Sequence, residues 1–363
     1  MIYANRENLI SSLNTIQRVA DRPRGLPILG NVLIVPMDGK LRMTCTDLET
    51  EAVTICPAED TEAGEAITLS AKKFAGICKS LPNDAVIKLA IEEDQVTVSS
   101  GKSKFKLATL SAADFPTLDQ QKVTGSFPVE SSVFKAMLVN AASSMAKDDA
   151  RYYLNGMLLQ VENSLLSVVA TDGHRLACWD YALVEAADST NLLPYKYAQM
   201  LSREIPDNSE ALLVEYGSGF CKVSWGETVI GSKLIQGQFP DYKRVIPRDC
   251  QYSALVNLGN LRSLLRRVAV LKENRYQGVA ITFSPGKLKV EAKTEDEFFN
   301  DEMDIDFSGD EIVTGFNYEY LDTALEALQS EFVMLAFNGA NDAMVLRDPE
   351  AVNKLHVVMP MRL

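Results

Sequence analysis

No stretch of this 363-residue sequence approaches the roughly 20 uninterrupted apolar residues that a membrane-spanning helix needs. The opening residues, MIYANRENLI, lack the basic-then-apolar layout of a secretory signal, so a cytoplasmic protein without membrane contact is expected. Six cysteines (Cys45, Cys56, Cys78, Cys178, Cys221 and Cys250) contain no CxxC pair, which argues against a structural zinc site and a disulfide framework. They read as reduced, mostly buried thiols. Enzyme signatures are also missing: there is no GxSxG, P-loop, HExxH or GxGxxG, and only two histidines, His174 and His356. Basic residues are in deficit, 36 against 49 acidic, and the net charge of −13 would by itself repel a polyanion.

Apolar content of 47% and charged content of 23% are those of a folded globular protein, and the length calls for more than one core. A duplication supplies the division. Phe115-Pro116-Thr117-Leu118-Asp119 returns as Phe239-Pro240-Asp241-Tyr242, 124 residues later. The apolar stretches at Leu26, Tyr153 and Tyr276 each lead to a hairpin signal, Asp38-Gly39, Asn163-Ser164 and Pro285-Gly286. Helical periodicity recurs on the same step at 69–81, 193–204 and 316–329, the first capped by Ser70 and burying Phe74, Ile77, Cys78 and Leu81. A second helical series, 4–20, 129–146 and 256–271, opens each unit, among alternating strands such as 41–46, 96–100 and 287–292. The expectation is an α+β fold of three similar domains, 1–125, 126–251 and 252–363, each with two helices on one side of antiparallel sheets.

Charge is unevenly placed along this frame. The six helical stretches carry a net +7 and the remainder −20, with 316–329 the acidic exception. A basic helical layer on an acidic protein suits contact with a phosphate backbone without reading its sequence. Lys102, Lys104 and Lys106 alternate along one strand, whereas the corresponding stretch of the third unit carries Glu295, Asp296, Glu297, Asp301, Glu302 and Asp304. Unlike surfaces at the two ends of a chain favour head-to-tail association of copies.

Six blocks in order carry a family resemblance: Leu26-Pro-Ile-Leu-Gly-Asn, Ala112-Ala-Asp-Phe-Pro, Arg151-Tyr-Tyr-Leu-Asn-Gly-Met, Ala170-Thr-Asp-Gly-His-Arg-Leu-Ala, Phe239-Pro-Asp-Tyr and Val357-Val-Met-Pro-Met-Arg-Leu. Over its full length the chain resembles the bacterial DNA polymerase III β subunit, the sliding clamp. The resemblance implies the DNA-clamp fold, a head-to-tail homodimer closing a six-domain ring around duplex DNA, and tethering of the polymerase. It also implies a pocket between the second and third domains where polymerase subunits, the clamp loader and repair proteins dock short linear peptides. Carried residue by residue, the pocket would use Leu154, Thr171, Gly173, His174, Arg175 and Leu176 from the second unit. Pro240, Arg244, Val245, Tyr320, Val357, Met359, Met361 and Arg362 would complete it. An apolar groove with adaptable methionines is suited to several peptides.

For DNA contact, the resemblance and the basic helices together point to Arg22, Arg24, Lys72, Tyr152, Tyr153, Lys196 and Arg203. The dimer contact would set Lys73, Lys102, Lys104, Phe105, Lys106 and Leu107 against Val270, Leu271, Glu295, Glu297 and Asp301, with Phe105 the apolar anchor. No cofactor or metal is implied. The cluster Asp172, His174 and Arg175 invites an enzymatic reading on anionic substrates, but no nucleophile motif accompanies it and the expectation is a non-enzyme. The competing class is a dimeric peptide-binding scaffold without DNA encirclement, favoured by the acidic stretch 316–329 and opposed by the basic stretch 256–272; Asp148-Asp149 adds negative charge near the second unit's DNA side.

Overall fold

A computed structural model describes residues 1–20, 25–59, 61–92, 95–118, 122–271, 278–293 and 296–362. Turn chemistry sets its hairpins. Asn163 and Ser164 both adopt positive φ (52° and 60°), the two-residue turn whose twist matches antiparallel strands, while Gly39 and Gly286 supply the positive φ in the equivalent turns.

The first repeat runs β1 (Ile2–Asn5), α1 (Arg6–Ala20), β2 (Asn31–Met37), β3 (Lys40–Thr46), β4 (Thr50–Pro57), β5 (Ile67–Ser70), α2 (Ala71–Ser80), β6 (Val86–Glu92), β7 (Gln95–Ser100) and β8 (Ser103–Ala108). The second repeats the order: β9 (Val123–Glu130), α3 (Ser131–Ala142), β10 (Gly156–Glu162), β11 (Leu165–Thr171), β12 (Arg175–Ala182), β13 (Ser189–Pro194), α4 (Tyr195–Glu204), β14 (Ala211–Gly217), β15 (Phe220–Trp225) and β16 (Thr228–Lys233). The third does so again: β17 (Tyr252–Asn257), α5 (Leu258–Val268), β18 (Gly278–Ser284), β19 (Lys287–Lys293), β20 (Phe298–Asp304), β21 (Ile312–Asn317), α6 (Tyr318–Glu326), β22 (Phe332–Phe337), β23 (Met344–Arg347) and β24 (Lys354–Val358).

Every helix is entered directly from a strand and starts two residues later than its periodicity predicts, because the apolar residues that open each pattern belong to the end of a strand. Ser70 caps α2 as expected, accepting from the Lys73 amide, and Asn257 and Asn317 cap α5 and α6 in the same way.

Each repeat forms two four-stranded antiparallel half-sheets, and four of the six half-sheets merge. The orders are β5-β2-β3-β4-β16-β15-β14-β9 and β13-β10-β11-β12-β24-β23-β22-β17, joined through β4 with β16 and β12 with β24. Two half-sheets, β1-β6-β7-β8 and β20-β19-β18-β21, stay four-stranded. The contacts divide into two compact units, residues 1–135 with 200–234 and residues 136–199 with 235–363. In the first unit Leu9, Leu13 and Ile16 of α1 are fully buried, and α1 packs over β3, β4 and α2. In the second, Leu264 and Leu265 of α5 and Leu325 of α6 pack with Phe283, Phe316 and Phe337. The alternation of apolar residues along strands and helices produces these cores.

Candidate functional site

The Thr171 to Arg175 turn builds one wall of a pocket in the second unit. Asp172 accepts the His174 and Arg175 amides at 2.9 and 3.0 Å, and its other oxygen accepts from Arg175 Nε at 3.0 Å. Gly173 is required there, since its φ is +91° and a Cβ would meet the Arg151 guanidinium at 3.0 Å. The short helical turn Tyr152–Asn155 supplies Tyr153 and Leu154, the turn Tyr242–Arg244 and its flanks supply Pro240, Asp241, Tyr242 and Val245, and β24 and the chain beyond it supply Val357 and Met359. The pocket volume is about 240 Å³. An apolar cluster of Leu158, Val169, Leu176, Cys178, Leu192, Phe239, Tyr242, Val345 and Val357 lies against the pocket and shares Leu176, Tyr242 and Val357 with its lining.

Nine residues anticipated for the pocket line it together: Leu154, Thr171, Gly173, Arg175, Leu176, Pro240, Val245, Val357 and Met359. Five are placed off the lining. His174 stacks on Tyr320 with ring centroids 6.3 Å apart, and Tyr320 carries the Arg175 guanidinium 4.6 Å from its ring centre, so these two rings adjoin the wall without forming it. Arg244 is turned to Asp241 at 2.7 Å. Met361 is exposed, its amide tied to Gly315 O, and Arg362 is exposed beside it. His174 O accepts from the Met359 amide at 2.8 Å, which anchors the tail against the wall.

Arg151, Asp241 and Tyr242 line the pocket without having been anticipated, and Tyr153 lines it although expected at DNA. Tyr153 is half-buried against the apolar cluster, which is why it is not a free ring, whereas Tyr152, edge-on to it at 5.8 Å, is exposed. Arg151 holds Asp149 through two nitrogens at 2.9 and 3.0 Å and reaches Asp172 O at 3.2 Å. Its guanidinium holds the Asp149 carboxyl down at about 2. One of the two negative charges of Asp148-Asp149 is thereby paired within the wall.

On the helices, Lys72, Lys196 and Arg203 are exposed, and Arg22 and Arg24 lie outside the described residues. The charge of α5 is less available than composition suggests. Arg262 pairs with Glu326 of α6 at 3.1 Å, and Arg267 pairs with Asp301 of β20 at 2.6 Å. Asp322, half-buried on α6, has its carboxyl raised by burial and by Glu326, with Arg262 and Arg266 opposing. The acidic helix is thus partly neutralised by its neighbour, and Arg18 of α1 similarly pairs with Glu204 at 2.7 Å.

Of the residues expected at a dimer contact, Lys104, Phe105, Lys106, Leu107 and Asp301 fall on two sheet edges. β8 bonds only to β7 and β20 only to β19 among the described residues. Lys104 and Lys106 are exposed on β8, whereas Lys102 sits in the preceding turn and does not continue the alternation, because Gly101 takes a φ of +55° there. Phe105 and Leu107 are half-buried, and Lys73 is exposed on α2. Across from them in kind, Glu297 is exposed, Val270 is 84% exposed, and Asp301 is half-buried by its bond to Arg267. Leu271 ends the short helical turn Ala269–Leu271, and Glu295 lies outside the described residues.

A threefold repeat of one α+β module, with paired half-sheets, free edges of opposite charge and an apolar pocket, defines a binding protein of the clamp class. Three domain descriptions match in order: DNA polymerase III beta subunit N-terminal domain over residues 1–119, central domain over 128–241 and C-terminal domain over 243–362. The chain is 37% identical to the beta sliding clamp of Pseudomonas putida over 362 residues, 99% of this chain and 98% of that one. It is 35% identical to the beta sliding clamp of Escherichia coli K12 over 360 residues, again 99% and 98% of the two chains. A crystal structure of the Pseudomonas aeruginosa sliding clamp bound to griselimycin superposes with a TM-score of 0.96 at 35% identity, covering 100% of both chains. The chain belongs to the DNA polymerase III beta subunit family, the sliding clamps, and its function is that of a processivity factor, not an enzyme. No helix among the described residues is long and apolar enough to cross a membrane.

Proposed function

We propose that two copies of this chain close head to tail into a ring around duplex DNA, and that the pocket described above docks short linear peptides of polymerase subunits, the clamp loader and repair proteins. The observation that carries the ring is the pairing left unfinished within one chain. β4, β12 and β20 hold the same place in their repeats, and so do β8, β16 and β24. β4 pairs with β16 and β12 with β24, both antiparallel, which leaves β20 and β8 as the unpaired members of the series. One copy's β20 against another copy's β8 repeats the joint and removes both exposed edges.

The repeat also gives the register. The hairpins pair Thr46 with Glu51, Thr171 with Leu176 and Lys293 with Phe298, making Ala52, Ala177 and Phe299 equivalent. Ser100 pairs with Ser103 and Trp225 with Thr228, making Phe105 and Ile230 equivalent. Ala52 faces Ile230 in the first joint and Ala177 faces His356 in the second, so Phe299 would face Phe105 in the third. Lys104 would face Asn300 and Lys106 would face Phe298, diagonal to Glu302 and Asp296 respectively. An aromatic pair at the centre with opposite charges around it supports an interface whose charges set orientation more than affinity.

For DNA, exposed Lys72, Lys196 and Arg203 with Tyr152 support a weak, sequence-independent contact, and Arg22 and Arg24 are proposed to join them. The boundary proposed at 125 falls between the first two matched segments, whereas the one at 251 lies inside the third, which begins at 243. Sedimentation of the protein with Lys104→Glu and Lys106→Glu tests the ring: a shift from dimer to monomer is expected, and an unchanged dimer counts against the joint.

A further inference from the structure

Strand β24 has two faces with different tasks. Leu355 and Val357 pack on the pocket side, with Val357 in the lining, whereas His356 points the other way and is 1% exposed. Its Nε2 lies 2.9 Å from Oδ1 of Asn140, a 2% exposed residue of α3. The equivalent position in the preceding joint holds Ile230, fully buried and apolar. Of these two equivalent positions, the one beneath the pocket carries a polar side chain where the other is aliphatic.

The two ends of this hydrogen bond lead to the two walls. From His356 the chain passes to Val357 and Met359. From Asn140 it passes through the end of α3 to a braced excursion carrying Arg151, Tyr153 and Leu154. The Ala146 amide donates to Leu154 O at 3.2 Å, and Asn155 and Asp149 exchange two bonds at 2.9 Å. A rigid excursion cannot reposition its three lining residues independently of α3. We propose that the buried His356–Asn140 hydrogen bond is a positioning contact that fixes the spacing of the two pocket walls and so sets the affinity of the pocket for its ligand, a proposal that rests on the pocket being the peptide site.

Polar chemistry favours this over a purely structural role. Nδ1 of His356 and Nδ2 of Asn140 have no hydrogen-bond partner among the described residues, so the pair costs more than an apolar contact would. Geometry compensates, because a hydrogen bond fixes distance and direction where two aliphatic side chains could slide. Lys354, on the same strand face, is held by Ala327 O and lies 4.6 Å from the centre of the Trp179 ring, which keeps the strand from shifting along its own axis.

The test is griselimycin affinity, measured by calorimetry on the full-length protein beside thermal unfolding. Replacing both partners, His356→Ile with Asn140→Leu, removes the polar pair without leaving an orphan. The double variant is expected to unfold within a few degrees of the parent protein yet to bind about tenfold more weakly, the scale of one buried hydrogen bond. His356→Gln, which retains a donor toward Asn140, is expected to recover most of the affinity. In the parent protein, griselimycin titration is expected to shift the Asn140 side-chain amide resonance, although that group lies on the opposite face of the sheet. Parent-level affinity in the double variant, or an unmoved amide resonance during saturable binding, would overturn the positioning role. Absence of binding by the parent protein would overturn the pocket reading, and the positioning role with it.

Discussion

At His356, burial does most of the electrostatic work. Loss of solvation, with Lys354 and Arg175 adding repulsion, lowers its pKa from 6.5 to about 3. The folded protein therefore keeps this ring neutral where the unfolded chain would take up a proton. Its contribution to stability is complete above pH 6.5 and is lost as pH falls from there toward about 3. Urea unfolding at about pH 7 and about pH 4.5 should show this loss, and His356→Ile with Asn140→Leu should flatten that part of the profile. An equal pH dependence in both proteins would contradict the assignment. The thiols follow the same physics: burial pushes Cys56 up to about 11 and Cys78 up to about 12, and none of the six cysteines forms a disulfide among the described residues. Iodoacetamide at about pH 8 is expected to modify the half-buried Cys250 first in the native protein, and all six thiols in urea. Fast native labelling of Cys56 or Cys78 would contradict the buried cores. His174 is instructive in the opposite direction. Its sequence neighbours suggest an acid-base cluster, but Asp172 spends both oxygens on the turn and Arg175, leaving the histidine stacked on Tyr320.

Among elements, the sequence pattern conveys whatever is local. The three hairpin turns, the Ser70 cap and the apolar faces of the helices follow from residues a few positions apart and appear as expected, except that in α2 Ile77 is half-buried and Ala75 is buried instead. The two-residue overrun at each helix start reflects strands that pass into helices without a loop, where period-2 and period-3.6 patterns share residues. What stays hidden is long-range. Arg267 and Asp301 lie 34 residues apart and Arg262 and Glu326 lie 64 apart, so no charge count along a helix reveals that they neutralise one another. Arg151 and Tyr242 join one pocket only once the strands are paired, although the family resemblance marks the segments containing both. The tail offers a test at this scale. Deleting residues 359–363 removes Met359 from the lining and its bond to His174 O, and should abolish griselimycin binding while the sedimentation of the protein is unchanged. Retained binding would refute the pocket.

At the scale of the whole molecule, an acidic protein that must hold DNA cannot rely on adhesion. With α5 and α6 partly paired to one another, affinity for linear duplex is expected to be weak and to fall steeply with added salt. Retention would come from topology: a closed ring needs no tight contact, and a modest, sequence-independent one lets it slide. In the proposed ring the same economy accounts for the sheet edges, which are unpaired in one chain among the described residues and would complement each other between two. Loading the protein onto nicked circular DNA with a cognate clamp loader and ATP, then cutting the circle at moderate salt, tests this most directly. Encirclement predicts a protein that stays on the intact circle and leaves once the DNA is linear; a protein that remains on the cut DNA adheres directly and contradicts it.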